Sequence, residues 1–135
     1  MAVARPFFDT NVLLYLLSGD SRKADIAETL LGSGGTISVQ VLNEFAAVVI
    51  RKLGMTTTDT REVLTAVRAA CSVVPMTEET HERGLAIAER YALSIYDSMI
   101  VASALLSDCT LLISEDMQDQ QVIEKKLTIR NPFRK

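Results

Sequence analysis

Short apolar runs rich in β-forming residues alternate along this chain with longer stretches in which apolar residues recur every three or four positions. That alternation predicts an α/β fold on a mainly parallel sheet, because parallel strands need helical crossovers between them. Phe7-Phe8 is the first strand, shortened by Pro6, which cannot donate to a central ladder. Residues 11–17 have helical spacing. Ser18-Gly19-Asp20-Ser21 then punctuates before a second helix over 22–31. A turn at 32–35 leads into a strand at 36–38.

The next helix, 39–53, has the clearest pattern. At 100° per residue, Val41, Leu42, Phe45, Val48, Val49 and Leu53 share one broad apolar arc. Glu44 falls at the edge of that arc beside Gln40, Ala47 and Arg51, and Gly54 ends the helix. Thr58 or Asp59 caps a fourth helix through Ala70, and 72–75 is a short strand. Thr77 with Thr80 opens a fifth helix to Tyr91. Tyr96-Asp97-Ser98 precedes a helix over 99–106, followed by a strand at 110–113 and a polar loop at 114–119. A short helix over 120–125 and a last strand at 127–129 complete the reading, ahead of a basic tail at 130–135.

With 135 residues and no linker or repeat, the chain is read as a single domain, 1–135. Its net charge of −3 argues against a nonspecific nucleic-acid binder, whose surface is normally basic, but leaves a nucleic-acid enzyme open. The longest apolar runs, 12–17 and 99–106, fall short of the roughly 20 residues a bilayer span requires. No signal-peptide pattern opens the chain, so a cytoplasmic protein without membrane contact is expected. Cys71 and Cys109 read as reduced, buried thiols. One histidine and no Cys-x-x-Cys argue against a zinc site.

The informative feature is where the acids fall. Asp9 immediately follows the first strand and Asp116 lies three residues after Ile113, so both emerge at the carboxyl ends of strands, where open α/β sheets bind ligands. Asp97 stands at a helix start, and Glu44 in the second turn of a helix that begins just after a strand. Each acid also has a plainer account. Asp97 serves as an N-cap, Asp9-Thr10-Asn11 as turn and cap, Glu44 as a solvated partner of Arg51, and Asp116 as part of a polar loop with Glu115 and Asp119.

Taken jointly the four are harder to explain away. Two carboxylates about 4 Å apart repel by roughly 4 kcal/mol at an effective dielectric of 20. No lysine or arginine lies within three residues of Asp97 or Asp116 to offset this. Oxygen-only donors point to a hard cation, Mg²⁺ or Mn²⁺, and such ions engage substrate phosphates. The chemistry suggested is phosphodiester hydrolysis.

These residues resemble a known family. Phe8-Asp9-Thr10-Asn11-Val12-Leu13-Leu14-Tyr15 is similar to the opening motif of PIN-domain ribonucleases, particularly the VapC toxins of bacterial toxin–antitoxin pairs. Val41-Leu42-Asn43-Glu44-Phe45 resembles the second acidic motif. Tyr96-Asp97-Ser98-Met99-Ile100-Val101-Ala102-Ser103-Ala104 resembles the third, and Leu112-Ile113-Ser114-Glu115-Asp116-Met117 the fourth. The resemblance implies an α/β/α sandwich and a Mg²⁺- or Mn²⁺-dependent endoribonuclease. It implies Asp9, Glu44, Asp97 and Asp116 as the acidic cluster, with Asp9 and Asp97 touching the metal. Glu44 would bind metal or orient the attacking water, and Asp116 would act through a water or a second ion. Thr10, Asn11 and Ser114 match polar positions that hold carboxylates or a phosphate.

It also implies an RNA substrate, a cognate antitoxin whose extended tail crosses the site, and a homodimer. The amphipathic helices at 22–31 and 59–70 are packing surfaces for such partners. Arg51, Lys52, Arg130, Arg134 and Lys135 are candidate phosphate contacts, each better explained as a charged end of an element, although Arg51 shares Glu44's face. Asp119 is a further candidate acid or a solvated loop residue. The few aromatics form no stacking series. The alternative readings are a catalytically inactive PIN-like RNA-binding or assembly module and a haloacid-dehalogenase-type phosphatase. The latter wants a second acid where Asn11 stands, and a receiver-type domain wants adjacent acids where Asp9 stands alone.

Overall fold

A computed structural model describes residues 5–134. Met1–Ala4 and Lys135, the last of the candidate phosphate contacts, lie outside the described residues. Six strands form one sheet in the order β3-β2-β1-β4-β6-β5. These are β1 (Phe7–Phe8), β2 (Gly35–Ser38), β3 (Cys71–Val74), β4 (Leu111–Ile113), β5 (Val122–Ile123) and β6 (Leu127–Arg130). Every pairing is parallel except β5 with β6. The helices are α1 (Thr10–Leu14), α2 (Ser21–Gly32), α3 (Val39–Leu53), α4 (Thr57–Ala70), α5 (Glu78–Tyr91) and α6 (Ile95–Leu106). Helices α1 to α4 pack among themselves, α5 packs on α6, and the arrangement is an α/β/α sandwich.

The topology places a chain reversal at the sheet's centre. From β1 the chain moves outward through β2 and β3, then returns to add β4 on the other side of β1. Sheets of this kind bind ligands at that switch point, beyond the carboxyl ends of the strands. Phe8 is level with Ile113, and Asp9 N–H donates to Ile113 O at 3.0 Å, so the two strand ends meet there. Pro6 does shorten β1, yet its carbonyl still accepts from Thr36 N–H at 2.9 Å. Phe7 and Phe8 are wholly buried, each contributing roughly 1.5–3 kcal/mol by leaving water, and they fix the strand that carries Asp9.

Three expectations need correction. Residues 120–125 are not a helix but contain β5, which forms a hairpin with β6. Glu124 and Lys125 both adopt positive φ, 53° and 55°, without the glycine or asparagine that usually marks such a turn. Tyr91 and Arg90 hold Glu124 instead: its N–H donates to Tyr91 Oη at 2.9 Å, and Arg90 pairs with its carboxylate at 3.0 Å. Leu53 is exposed, because it ends α3 just before left-handed Gly54, and the buried stripe narrows to Val41, Phe45 and Val49. Helix α4 is capped by Thr56, whose hydroxyl accepts from Asp59 N–H, two residues before Thr58 and three before Asp59. The pair Thr77 and Thr80 forms the capping box read from the sequence. Cys71 and Cys109 are buried, unbonded thiols whose pKa burial pushes up.

Candidate functional site

Asp9 and Glu44 are delivered by short strand-to-helix junctions, Asp97 by the junction between α5 and α6, and Asp116 by the loop after β4. Asp9 leaves β1 and caps α1, accepting from Thr10 N–H at 2.7 Å, so its capping and site roles coexist. Ser38 ends β2 and caps α3 in turn, which sets Glu44 in the second turn of that helix. Asp97 is not a cap. Ser94 caps α6 and accepts from Asp97 N–H at 3.1 Å, leaving the Asp97 carboxylate in the first turn, where the helix dipole favours an anion.

The polar residues flanking the acids connect them. Thr10 Oγ1 donates to Glu44 Oε2 at 2.6 Å. Asn11 Nδ2 bridges Asp9 Oδ2 at 3.4 Å and Asp116 Oδ2 at 3.1 Å. Ser114 Oγ donates to Asp9 Oδ2 at 2.7 Å and accepts from Met117 N–H at 3.3 Å, closing the loop after β4. Thr10, Asn11 and Ser114 thus each donate a hydrogen bond to a carboxylate of the cluster.

Electrostatics tie Asp97 to the same cluster. Burial pushes the Asp9 pKa up to about 6, against the bonds from Ser114 and Thr10, and the charges of Asp97 and Asp116 push it the same way. Burial likewise raises Asp97, with Asp116 and Glu44 adding to the effect. None of the four acids joins a lysine or arginine in an ion pair among the described residues, where the pairs are Lys23–Glu115, Arg90–Glu124, Lys126–Asp108 and Arg134–Asp119. Glu44 in particular does not pair with Arg51, which lines a groove beside it. Among the described residues no three His, Cys, Asp or Glu side chains converge tightly enough to chelate an ion by themselves.

A model of the PIN domain matches residues 7–125, which contain all four acids. The chain belongs to the PIN-domain family. Among solved structures, this PIN domain is similar to a chain of a toxin–antitoxin complex from Klebsiella pneumoniae. That match has TM-score 0.71 and 23% identity, covering 95% of this chain and 98% of that one. It is also similar to a chain of DNA-bound VapBC from Salmonella typhimurium, at TM-score 0.71 and 16% identity over 96% and 98% of the two chains. A third is VapC20 of Mycobacterium tuberculosis, described as a Sarcin-Ricin loop cleaving toxin, at TM-score 0.61 and 18% identity over 78% and 85%. At these identities the likeness is one of fold. Among curated protein sequences none matches this chain.

Sequence reasoning missed two features of the PIN site. Gln40 Nε2 donates to Glu44 Oε1 and to Tyr96 O, each at 3.0 Å, joining α3 to the start of α6. Its spacing of one helical turn before Glu44 was the available signal. The second is a clamp on the loop that carries Asp116. Lys23 Nζ reaches Glu115 Oε2 at 3.1 Å and Tyr15 Oη at 3.2 Å, Tyr15 Oη also bonds Glu115, and Glu115 N–H donates to Asn11 Oδ1 at 3.3 Å. Those partners are 92 and 100 residues apart, beyond any local pattern. Asp119 is outside the site: it accepts from Asn131 N–H at 2.8 Å and pairs with Arg134 at 3.2 Å, which holds its pKa down and occupies Arg134. No described helix is long and apolar enough to cross a membrane.

Proposed function

We propose that this PIN domain is a metal-dependent endoribonuclease, the toxin of a toxin–antitoxin pair, held inactive by a cognate antitoxin. The reading is supported by the hydrogen bonds and mutual charge effects that link Asp9, Glu44, Asp97 and Asp116 around the β1/β4 switch point, with no basic ion-pair partner among the described residues. Such a cluster is poorly suited to stability alone, since burial and mutual repulsion raise Asp9 to about 6. A divalent cation relieves both.

The donor set fits a hard ion. It is all oxygen, and Mg²⁺ binds through one or two carboxylates while keeping several waters, so three converging side chains are not required. Asp9 and Asp97 would hold Mg²⁺ or Mn²⁺, with Asp116 and Glu44 reaching it through water. When bound, the ion supplies charge against the phosphate and lowers the pKa of a water. The chain's own groups do the rest. Ser114 and Thr10 N–H orient Asp9, Asn11 sets the spacing from Asp9 to Asp116, and Thr10 with Gln40 fixes the Glu44 carboxylate where it can accept a proton from an attacking water.

The partner reading is supported by the relatives, several of which are complexes of toxin with antitoxin. It is also supported by an apolar cleft between α2 and α4, lined by Leu16, Leu31, Val63, Ala66, Val67 and Ala70. A homodimer is proposed on the family resemblance. The test is incubation of antitoxin-free protein with a mixed RNA pool, with and without Mg²⁺ or Mn²⁺, beside Asp97→Asn. Metal-dependent cutting lost in the variant is the expected result. Absence of cutting under every condition, with no metal binding by calorimetry, leaves an inactive RNA-binding or assembly module.

A further inference from the structure

Tyr96 stands immediately before Asp97 in the first turn of α6, and 70% of it is exposed. It borders an open groove of about 670 Å³ whose other wall is Gln40, Asn43, Glu44 and Arg51 of α3, with Met76 at one side. A single exposed apolar residue needs no explanation. Here three are gathered on one groove, because Met76 and Val39 are 38% and 37% exposed along the same walls. The groove is also continuous with the acidic site, since Glu44 belongs to both. Gln40 holds the arrangement still, donating at 3.0 Å to the Tyr96 carbonyl and to Glu44.

The lining is mixed in a particular way. An aromatic side chain lies next to the acids, amides of Gln40 and Asn43 line the same groove, and the Arg51 cation lies two helical turns from Glu44 without an ion pair among the described residues. An apolar peptide would leave the amides and the guanidinium unanswered. A nucleotide answers each: a π-face for the ring, edge donors and acceptors for the amides, and a phosphate for the arginine. Asn43 also lines the adjoining cleft of about 290 Å³ between α3 and α4, where Arg61 and Arg68 stand, so cationic groups continue away from the acids.

We propose that this groove is a nucleotide subsite for single-stranded RNA, in which the base beside the scissile phosphate stacks on Tyr96 and Arg51 holds a flanking phosphate. The proposal rests on the nuclease reading and goes beyond it, because it assigns substrate contacts that the acids cannot make.

The test uses the full chain carrying Asp97→Asn, with Mg²⁺, and a short fluorescein-labelled single-stranded RNA of mixed sequence followed by anisotropy. Adding Tyr96→Ala should weaken binding roughly tenfold, whereas Tyr96→Phe, which keeps the ring, should stay within about twofold. Adding Arg51→Gln should weaken binding and reduce the salt slope by about 0.7, one phosphate contact on a single strand. Equal affinity for Tyr96→Ala and Tyr96→Phe, in chains with matching melting curves, overturns the subsite, and so does failure of the starting chain to bind RNA. Cleavage by the unsubstituted chain is read in parallel. Binding that follows the Tyr96 ring while no RNA is cut sinks the nuclease and keeps the groove. Cutting with a KM indifferent to Tyr96→Ala sinks the subsite and keeps the nuclease.

Discussion

Ser114 Oγ donates a 2.7 Å hydrogen bond to Asp9 Oδ2 although 105 residues separate the two, and both residues are buried. The bond spans the switch point, joining the end of β4 to the end of β1. Because it favours the charged form, it lowers a pKa that burial raises. Ser114→Ala should therefore push Asp9 further up and cost about 1.5–3 kcal/mol at neutral pH, the usual range for a bond to a charged group. Cutting of RNA should weaken and its pH profile shift to higher pH. A melting curve and a pH profile identical to those of the unsubstituted chain would remove Ser114 from the site.

Asp9 gives a pH dependence of definite sign. Its folded-state pKa of about 6 lies above the ordinary 3.8, so between those values the folded chain holds a proton that the unfolded chain has lost. Stability of the metal-free protein should then fall as pH rises from about 4 to above 6, by roughly 3 kcal/mol at 1.36 kcal/mol per unit. Asp9→Asn should unfold at higher denaturant than the unsubstituted chain at pH 7, and close to it at pH 4. Mg²⁺ at pH 7 should raise the midpoint of the unsubstituted chain and leave Asp9→Asn unmoved. Urea unfolding in chelator, with and without added Mg²⁺, reads both effects. A midpoint for Asp9→Asn no higher at pH 7 counts against Asp9 as a strained anion.

Much of this was legible because the signals are local. The apolar stripe of α3 and the Thr77–Thr80 box set those helices directly, and placing Asp9 and Asp116 after strands was enough to put them on one rim. The sequence pattern starts α6 at 99, and the plainer account of Asp97 as a cap goes with it, because Ile95 and Tyr96, both exposed, hide the first turn and the Ser94 cap. The β5–β6 turn was misread because tertiary bonds from Arg90 and Tyr91, not turn residues, stabilise its positive φ values. The stacking surface was invisible for a similar reason: one tyrosine makes no series until α3 and α6 form walls around it.

The loop that carries Asp116 should depend on the Lys23–Glu115–Tyr15 clamp. Glu115 is held by Tyr15 and Lys23, and its N–H holds Asn11, whose amide spans Asp9 and Asp116. The hydrogen bond from Tyr15 lowers the Glu115 pKa, so the clamp is charged at neutral pH. Glu115→Ala and Lys23→Met should lower kcat for RNA cleavage by roughly 10- to 100-fold, the scale of misplacing a catalytic group, with little change in KM. Tyr15→Phe, which keeps its packing on Phe133, should fall between them and the unsubstituted chain. A rise in KM at constant kcat would instead make the clamp part of the RNA surface.

Gly35 opens β2 hard against β1. A Cβ there would run into the Phe8 ring and stand 2.8 Å from the Pro6 carbonyl oxygen, a backbone atom that cannot swing aside. That carbonyl already accepts from Thr36 N–H, so Gly35→Ala must displace β1 or break the β1–β2 ladder. Overpacking of this kind costs about 1–3 kcal/mol. The displaced strand ends at Asp9, so RNA cutting should fall by more than the loss of folded protein explains. Gly32 provides the contrast, since it closes α2 with nothing within 4 Å of its would-be Cβ. Gly32→Ala should leave cutting unchanged and raise stability by about 0.4–1 kcal/mol through the unfolded chain. Thermal melts beside specific activity separate the two glycines. Equal behaviour would mean that β1 does not depend on the close approach at Gly35.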